Sequence, residues 1–317
     1  MDARRPRATA TAALAALLLL IAPAALATSG YRTANFVVSA PSAELAREIG
    51  ETAEILRKQL AVEWTGKEMP NWPKPCPIKA RVHPNLGAGG QTSFVFDRGQ
   101  VFNWDMEVQG SRERVLDSVL PHEITHTVFA CHFRRPLPRW ADEGACTTVE
   151  DRSEIAKQER MLIGFLKAGD GIPFSRMFAM KEYPAKVLPL YAQGHSLTQF
   201  LLERRGKETF MAFVADGMQD ENWPRAVKAH YEHENLLELQ LAWNDWVRVG
   251  RPRLEREDGV GLASATRPAS QPVQVAAATN SVYSASLTPA ESAKPASGAV
   301  KSGSIYDASN TSGTIWR

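Results

Sequence analysis

The stretch PHEITHTVFACH, Pro121 to His132, limits the folds open to this chain more than any other. Apolar residues at Val115, Leu116, Val119, Leu120, Ile124, Val128 and Phe129 recur at three- and four-residue steps, which predicts a helix. On that helix His122 and His126 lie one turn apart, about 6 Å, so both imidazoles reach a single metal ion, with Glu123 beside them. A fold built around the segment has to cover the apolar side formed by Ile124, Val128 and Phe129. Pro121 interrupts the run and frees the carbonyl of Asp117, so a bend or a fresh helix start is expected just ahead of His122.

Each of the three residues has its own task. A zinc ion (Zn2+) held by the histidines lowers the pKa of a water toward ~7, and the adjacent carboxylate takes the proton as that water attacks a carbonyl. Such a site needs a third protein ligand, and the spacing offers two. His132 completes the His-Glu-x-x-His-x-x-x-x-x-His pattern of the metzincins. In that pattern a glycine turns the chain out of the helix, and Phe129 occupies the equivalent place here. If the helix simply continues, His132 is carried ten residues beyond His122 and misses the metal. Glu143, seventeen residues after His126, has room to return on a second, antiparallel helix after FRRPLPR. Asp142 is its neighbouring competitor, rotated by about 100° on the same helix.

The rest of the chain supplies a small sheet and a helical lobe. ANFVVSA (34–40) reads as a strand, the segment from Ser42 to Trp64 as a helix capped by Ser42, and CPIKARVH (76–83) as a second strand. QTSFVFDRGQVFNWDMEV forms two strands turning near Asp97 to Gly99. Pro138 suits the first turn of another helix, and the chain from Arg139 to about Gly250 reads as helical. Ahead of this lies a basic, then apolar segment ending Ala25-Leu26-Ala27, expected to be a signal peptide (residues 1–27) cleaved on export to a secreted or periplasmic location. Residues 28–250 then form the domain. Residues 251–317, rich in Ala, Ser, Thr and Pro, are expected to be a disordered tail. With no other stretch of spanning length, no stable membrane insertion is expected after cleavage. A net charge of +2 over 317 residues gives no reason to expect a nucleic-acid partner. Of Cys76, Cys131 and Cys146, the last two flank the motif and are the preferred disulfide pair in an oxidising compartment.

Taken together, LPHEITHTV, the segment WADEGA with Trp140, Glu143 and Gly144, and YAQGHSLTQFLLERRG resemble the gluzincin metallopeptidases. This is the thermolysin-like, peptidase-MA-like group that includes the aminopeptidase N family, and the resemblance covers Val115 to Val214. It implies an α+β, zincin-like domain: a small N-terminal mixed sheet, an active-site helix and a mainly helical C-terminal lobe. It also implies zinc held by His122, His126 and Glu143, with Glu123 as general base and a peptide or protein as substrate. Tyr191, in the segment Tyr191 to Gly194, inherits the role of hydrogen-bond donor to the developing oxyanion, a task that suits a neutral phenol; His195, one turn later, is the second candidate.

No Gly-x-Met-Glu-Asn segment is present; NWDMEV is only superficially similar, which points away from aminopeptidase activity. The strand pair around TSFVFDRGQVFNW forms the upper edge of an endopeptidase-like cleft instead, able to pair with an extended peptide. Asp117, Thr147 and Glu150 are the candidates for holding the second nitrogen of a ligand histidine. The competing reading is a catalytically idle zinc-binding or surface-adhesion protein on the same scaffold. The sequence does not set the oligomeric state.

Overall fold

The computed structural model describes residues 29–254 and 299–305, so the expected signal segment 1–27 and most of the tail lie outside the described residues. Strand β1 (Ser29–Arg32) runs antiparallel to β2 (Phe36–Ala40), in which Phe36, Val38 and Ala40 are buried and Val37 is not, the period-two pattern of a half-buried strand. Helix α1 (Ala43–Thr65) carries the chain across to β3 (Cys76–Val82), parallel to β2. Ser42 Oγ accepts the Leu45 N–H at 3.2 Å and starts that helix, and Ala46, Ile49, Ala53, Leu60, Ala61 and Trp64 form its buried stripe.

Strands β4 (Gly89–Asp97) and β5 (Gln100–Gly110) make the hairpin expected near Asp97 to Gly99. Arg98 and Gly99, with φ of 48° and 72°, form a two-residue turn whose twist suits the strands it joins. β5 inserts between β3 and β4, and β6 (Ala299–Ile305) pairs antiparallel with the outer side of β4, giving the order β1-β2-β3-β5-β4-β6. The tail expected to be without structure thus contributes one strand. The reason lies in β4, whose outer row of backbone N–H and C=O groups accepts any segment able to lie extended beside it.

The helical half begins with α2 (Arg112–Arg114), a π-helical turn (Val115–Val119) and α3 (Leu120–Phe133). The interruption expected at Pro121 takes the form of that π-turn. Leu120 N–H reaches back five residues to Val115 O, and the proline, with no N–H to give, sits in the first turn of α3. Every residue from Leu120 to Ala130 is buried, because α3 lies between α1, the β4–β5 hairpin and α4 (Arg139–Thr147). The chain continues through α5 (Arg152–Ala168), α6 (Phe174–Phe178), α7 (Leu188–Asp220), α8 (Trp223–Tyr231) and α9 (Leu236–Arg248). This is the α+β arrangement expected: a mixed sheet, an internal helix and a helical lobe. Gly206, with φ 73° and ψ 179°, breaks α7 where the sequence closes LLERRG. Among the described residues no helix is long and apolar enough to cross a membrane.

Two contacts fix α4 against α7. Trp140 is fully buried with its ring 4.4 Å from that of Phe178 and within 6.4 Å of Phe213 and Trp223. Beside it the backbones touch: a Cβ on Gly144 would stand 2.4 Å from Gly194 O, and one on Gly194 would stand 2.7 Å from Trp140 O. WADEGA and YAQGH therefore meet through their glycines.

The expected Cys131–Cys146 disulfide is absent, and all three cysteines are thiols. The two side chains lead away from each other: Cys131 Sγ accepts the Trp72 indole N–H at 3.3 Å, whereas Cys146 Sγ lies 3.3 Å from His126 Nδ1.

Candidate metal centre

Helical spacing brings the rings of His122 and His126 to 4.9 Å between centroids, and both residues are buried. α4 returns antiparallel and lays Glu143 across their outer nitrogens. Glu143 Oε2 is 3.3 Å from His122 Nε2 and 3.7 Å from His126 Nε2. Two donors each bonded at about 2.0–2.1 Å to one tetrahedral ion are themselves about 3.4 Å apart, so these separations match the edges of a zinc coordination tetrahedron.

The inner nitrogens are held by other carboxylates. His122 Nδ1 is 2.6 Å from Glu150 Oε1, and His126 Nδ1 is 2.8 Å from Asp142 Oδ1. A carboxylate on Nδ1 orients the ring, makes Nε2 more basic and leaves it directed at the metal position. Of the three residues considered for this task, Glu150 performs it. Thr147 instead donates to the backbone carbonyl of Glu143 at 2.9 Å, and Asp117 is exposed. Asp142, the competitor to Glu143, turns out to be the partner of His126.

Burial opposes a charge on either ring, yet the surrounding carboxylates prevail: Glu143 and Glu150 push His122 up to about 10, and Asp142 and Glu143 raise His126. Without a metal the site therefore holds a proton where the cation would go.

A second donor set, His122, His126 and Cys146, also lies within 4.8 Å. Its sulfur approaches the wrong nitrogen, since Cys146 Sγ is against His126 Nδ1, already engaged by Asp142. Burial, reinforced by Asp142 and Glu143, pushes the Cys146 thiol well above its ordinary pKa. The carboxylate set fits a divalent ion better. His132 lies apart from both: α3 runs unbroken to Phe133, carrying His132 about 9 Å along the axis from His126, and its exposed ring packs edge-on against Phe133.

Glu123 is fully buried under β4. Thr92 donates to its Oε2 at 2.7 Å, and its Oε1 has no hydrogen-bond partner among the described residues. Gly90 permits the approach, since a Cβ there would lie 2.5 Å from Glu123 Oε1. Burial raises the Glu123 carboxyl above the usual carboxylate range.

Tyr191 is buried and hydrogen-bonds Glu143. Its ring stacks 6.4 Å from that of Tyr183, whose hydroxyl donates to Glu143 Oε1 and whose face carries the Arg139 guanidinium at 4.4 Å. Burial pushes both phenols well above their usual pKa and keeps them neutral donors. Tyr183 and Thr92 escaped the sequence reading; a tyrosine before a proline in a charged loop and a threonine in a strand carry no spacing signal. His195 is buried on α7 with burial lowering its pKa to about 4, and its hydrogen bond goes to the backbone of Gly144, next to Glu143.

No protein-family profile matches the sequence, and no curated protein does. Among solved structures the chain is similar to a substituted two-domain M1 zinc metallopeptidase bound to L-arginine (13% identity, TM-score 0.33). It is also similar to a substituted M1 zinc metallopeptidase from Deinococcus radiodurans (14% identity, TM-score 0.31). In both cases the match covers 68% of this chain and 51% of the other, so the chain spans about half the length of these structures.

Proposed function

We propose that the chain is an exported zinc peptidase of the gluzincin kind that cleaves peptides internally, with His122, His126 and Glu143 as ligands and Glu123 as general base. One observation carries the reading. Both Nε2 atoms converge on Glu143 Oε2 at 3.3 and 3.7 Å, each Nδ1 is anchored by its own carboxylate, and the unpartnered Oε1 of Glu123 belongs to the residue next to His122.

When bound, a zinc ion supplies the Lewis acidity that makes a water nucleophilic near pH 7 and polarises the carbonyl it attacks. The chain's own groups do the rest. Glu150 and Asp142 fix the two imidazoles, and Tyr183 fixes Glu143 through its second oxygen. Thr92 holds one oxygen of Glu123, leaving the other to take the proton of the attacking water and later return it to the leaving amine. Tyr191, neutral and hydrogen-bonded to Glu143, becomes the donor to the developing oxyanion by turning its one proton from that carboxylate, a contribution of about 2.7–4 kcal/mol in comparable sites.

The test is Glu123→Gln in the zinc-loaded protein, assayed on a broad peptide library alongside metal content. Hydrolysis should vanish while one zinc per chain remains. Turnover surviving in the variant would sink the mechanism, and a zinc-loaded wild type inert on every peptide would leave a binding protein.

A further inference from the structure

Strand β4 has two functions that meet at one place. Its inner face supplies Thr92, bonded to Glu123, and Gly90, whose missing side chain admits that carboxylate. Its outer edge is occupied by β6 in antiparallel register: Ser302 opposite Thr92, Gly303 opposite Gln91, Ser304 opposite Gly90 and Ile305 opposite Gly89. β6 also touches α3, the helix that carries Glu123, His122 and His126. The backbone from Ser302 to Ser304 thus lies in the strand position flanking the candidate base. Any extended peptide presented to Glu123 along the sheet edge would need the same backbone groups of β4.

We infer that the outer edge of β4 is the peptide-binding edge of the site, and that residues 299–305 of this same chain are its resident occupant, a strand that an incoming peptide must displace. The inference rests on the peptidase reading for its purpose but not for its geometry. Tethering makes the occupant effective. An intramolecular segment acts at an effective concentration on the order of 1 mM, so a strand whose free peptide binds with a Kd of about 0.1 mM leaves the edge open about one time in ten.

The experiment uses the full-length chain in the Glu123→Gln background, so that no probe is cleaved, with and without the double change Ser302→Pro/Gly303→Pro. One of any two consecutive residues of an edge strand turns its N–H toward its neighbour, so the double proline removes at least one ladder bond. The probe is the peptide Ala-Val-Lys-Ser-Gly-Ser-Ile with a fluorophore at its N-terminus, followed by anisotropy. The proline variant should bind it about tenfold more tightly than its parent. Equal affinity in the two proteins, or no binding by either, overturns the inference. So does a variant that loses thermal stability without gaining peptide affinity, which is the behaviour of a strand that merely completes the sheet. Proline substitutions made with Glu123 intact separate this idea from the one it rests on: tight peptide binding with no hydrolysis would uphold the occupied edge and remove the peptidase.

Discussion

Gly144→Ala places one methyl group where the α4–α7 crossing has no room for it. The new Cβ would lie 2.4 Å from Gly194 O, 2.5 Å from Thr198 Oγ1 and 2.6 Å from the Gly194 carbonyl carbon, where ordinary contact begins at 3.4 Å. Thr198 can turn its hydroxyl aside. The Gly194 peptide cannot, being wound into α7, so the helices must separate by 3.4 − 2.4 = 1.0 Å. Overpacking of this kind costs about 1–3 kcal/mol, and alanine recovers about 1 kcal/mol over glycine inside a helix. A net loss of about 1 kcal/mol lowers Tm by about 2–4 °C for a domain of this size.

The larger effect falls on the adjacent residue. A shift of this size is half the length of a zinc–oxygen bond of about 2 Å, so displaced Glu143 should weaken zinc binding by at least about tenfold and turnover by about a hundredfold. Calorimetry with and without zinc, together with a chelator-dye competition, reads both quantities. Gly164→Ala on α5 is the control: nothing lies within 4 Å of its added Cβ, so it should gain up to about 1 kcal/mol. A Gly144→Ala protein that melts no lower than wild type and holds zinc as tightly would refute the claim that this crossing positions the ligand.

Other outcomes are equally open to measurement. Zinc stoichiometry should fall to zero in Glu143→Ala and stay at one per chain in His132→Ala, read by metal analysis after gel filtration. Glu150→Gln and Asp142→Asn, which leave every ligand in place but loosen a ring, should each weaken zinc affinity by about 10- to 100-fold in a competition titration. Tyr183→Phe removes the bond to Glu143 Oε1 and should speed zinc release in stopped flow. In the metal-free protein the His122 pKa is raised from 6.5 to about 10, so its proton stabilises the fold fully below about pH 6.5 and that contribution is lost as pH rises through about 10. Melts from pH 6 to 10.5 without zinc should show that decline, and zinc uptake at pH 7 should release protons to a pH indicator.

What the sequence disclosed follows from how far apart cooperating residues lie. His122, Glu123 and His126 could be placed together because one helical turn fixes their relation without any knowledge of the fold. Phe129 in the glycine position was enough to set His132 aside, and α3 does continue past it. Glu143 and Tyr191 needed the tertiary crossing, and their legible trace was the glycine following each, spaced so that the two backbones touch. Glu150 appeared only as one of three candidates, since the end of α4 decides which acid faces His122. Thr92, thirty-one residues before Glu123, and Tyr183, forty after Glu143, had no local pattern to betray them. The disulfide expectation failed because closeness to the motif in sequence says nothing of side-chain direction. Strand β6 was hidden by a composition that reads as a linker.

The centre draws on the two halves of the molecule unequally. Both histidines, their anchoring carboxylates, Glu143 and both tyrosines belong to α3, α4 and the chain that follows, whereas among the described residues the sheet contributes Thr92 and the gap at Gly90. On the proposed reading, metal capture and proton handling are therefore mechanically separable. On that same reading, a small slide of the sheet over α3 would retune Glu123 while leaving His122, His126 and Glu143 in place, so substitutions along β4 should change rate and peptide preference without loss of zinc.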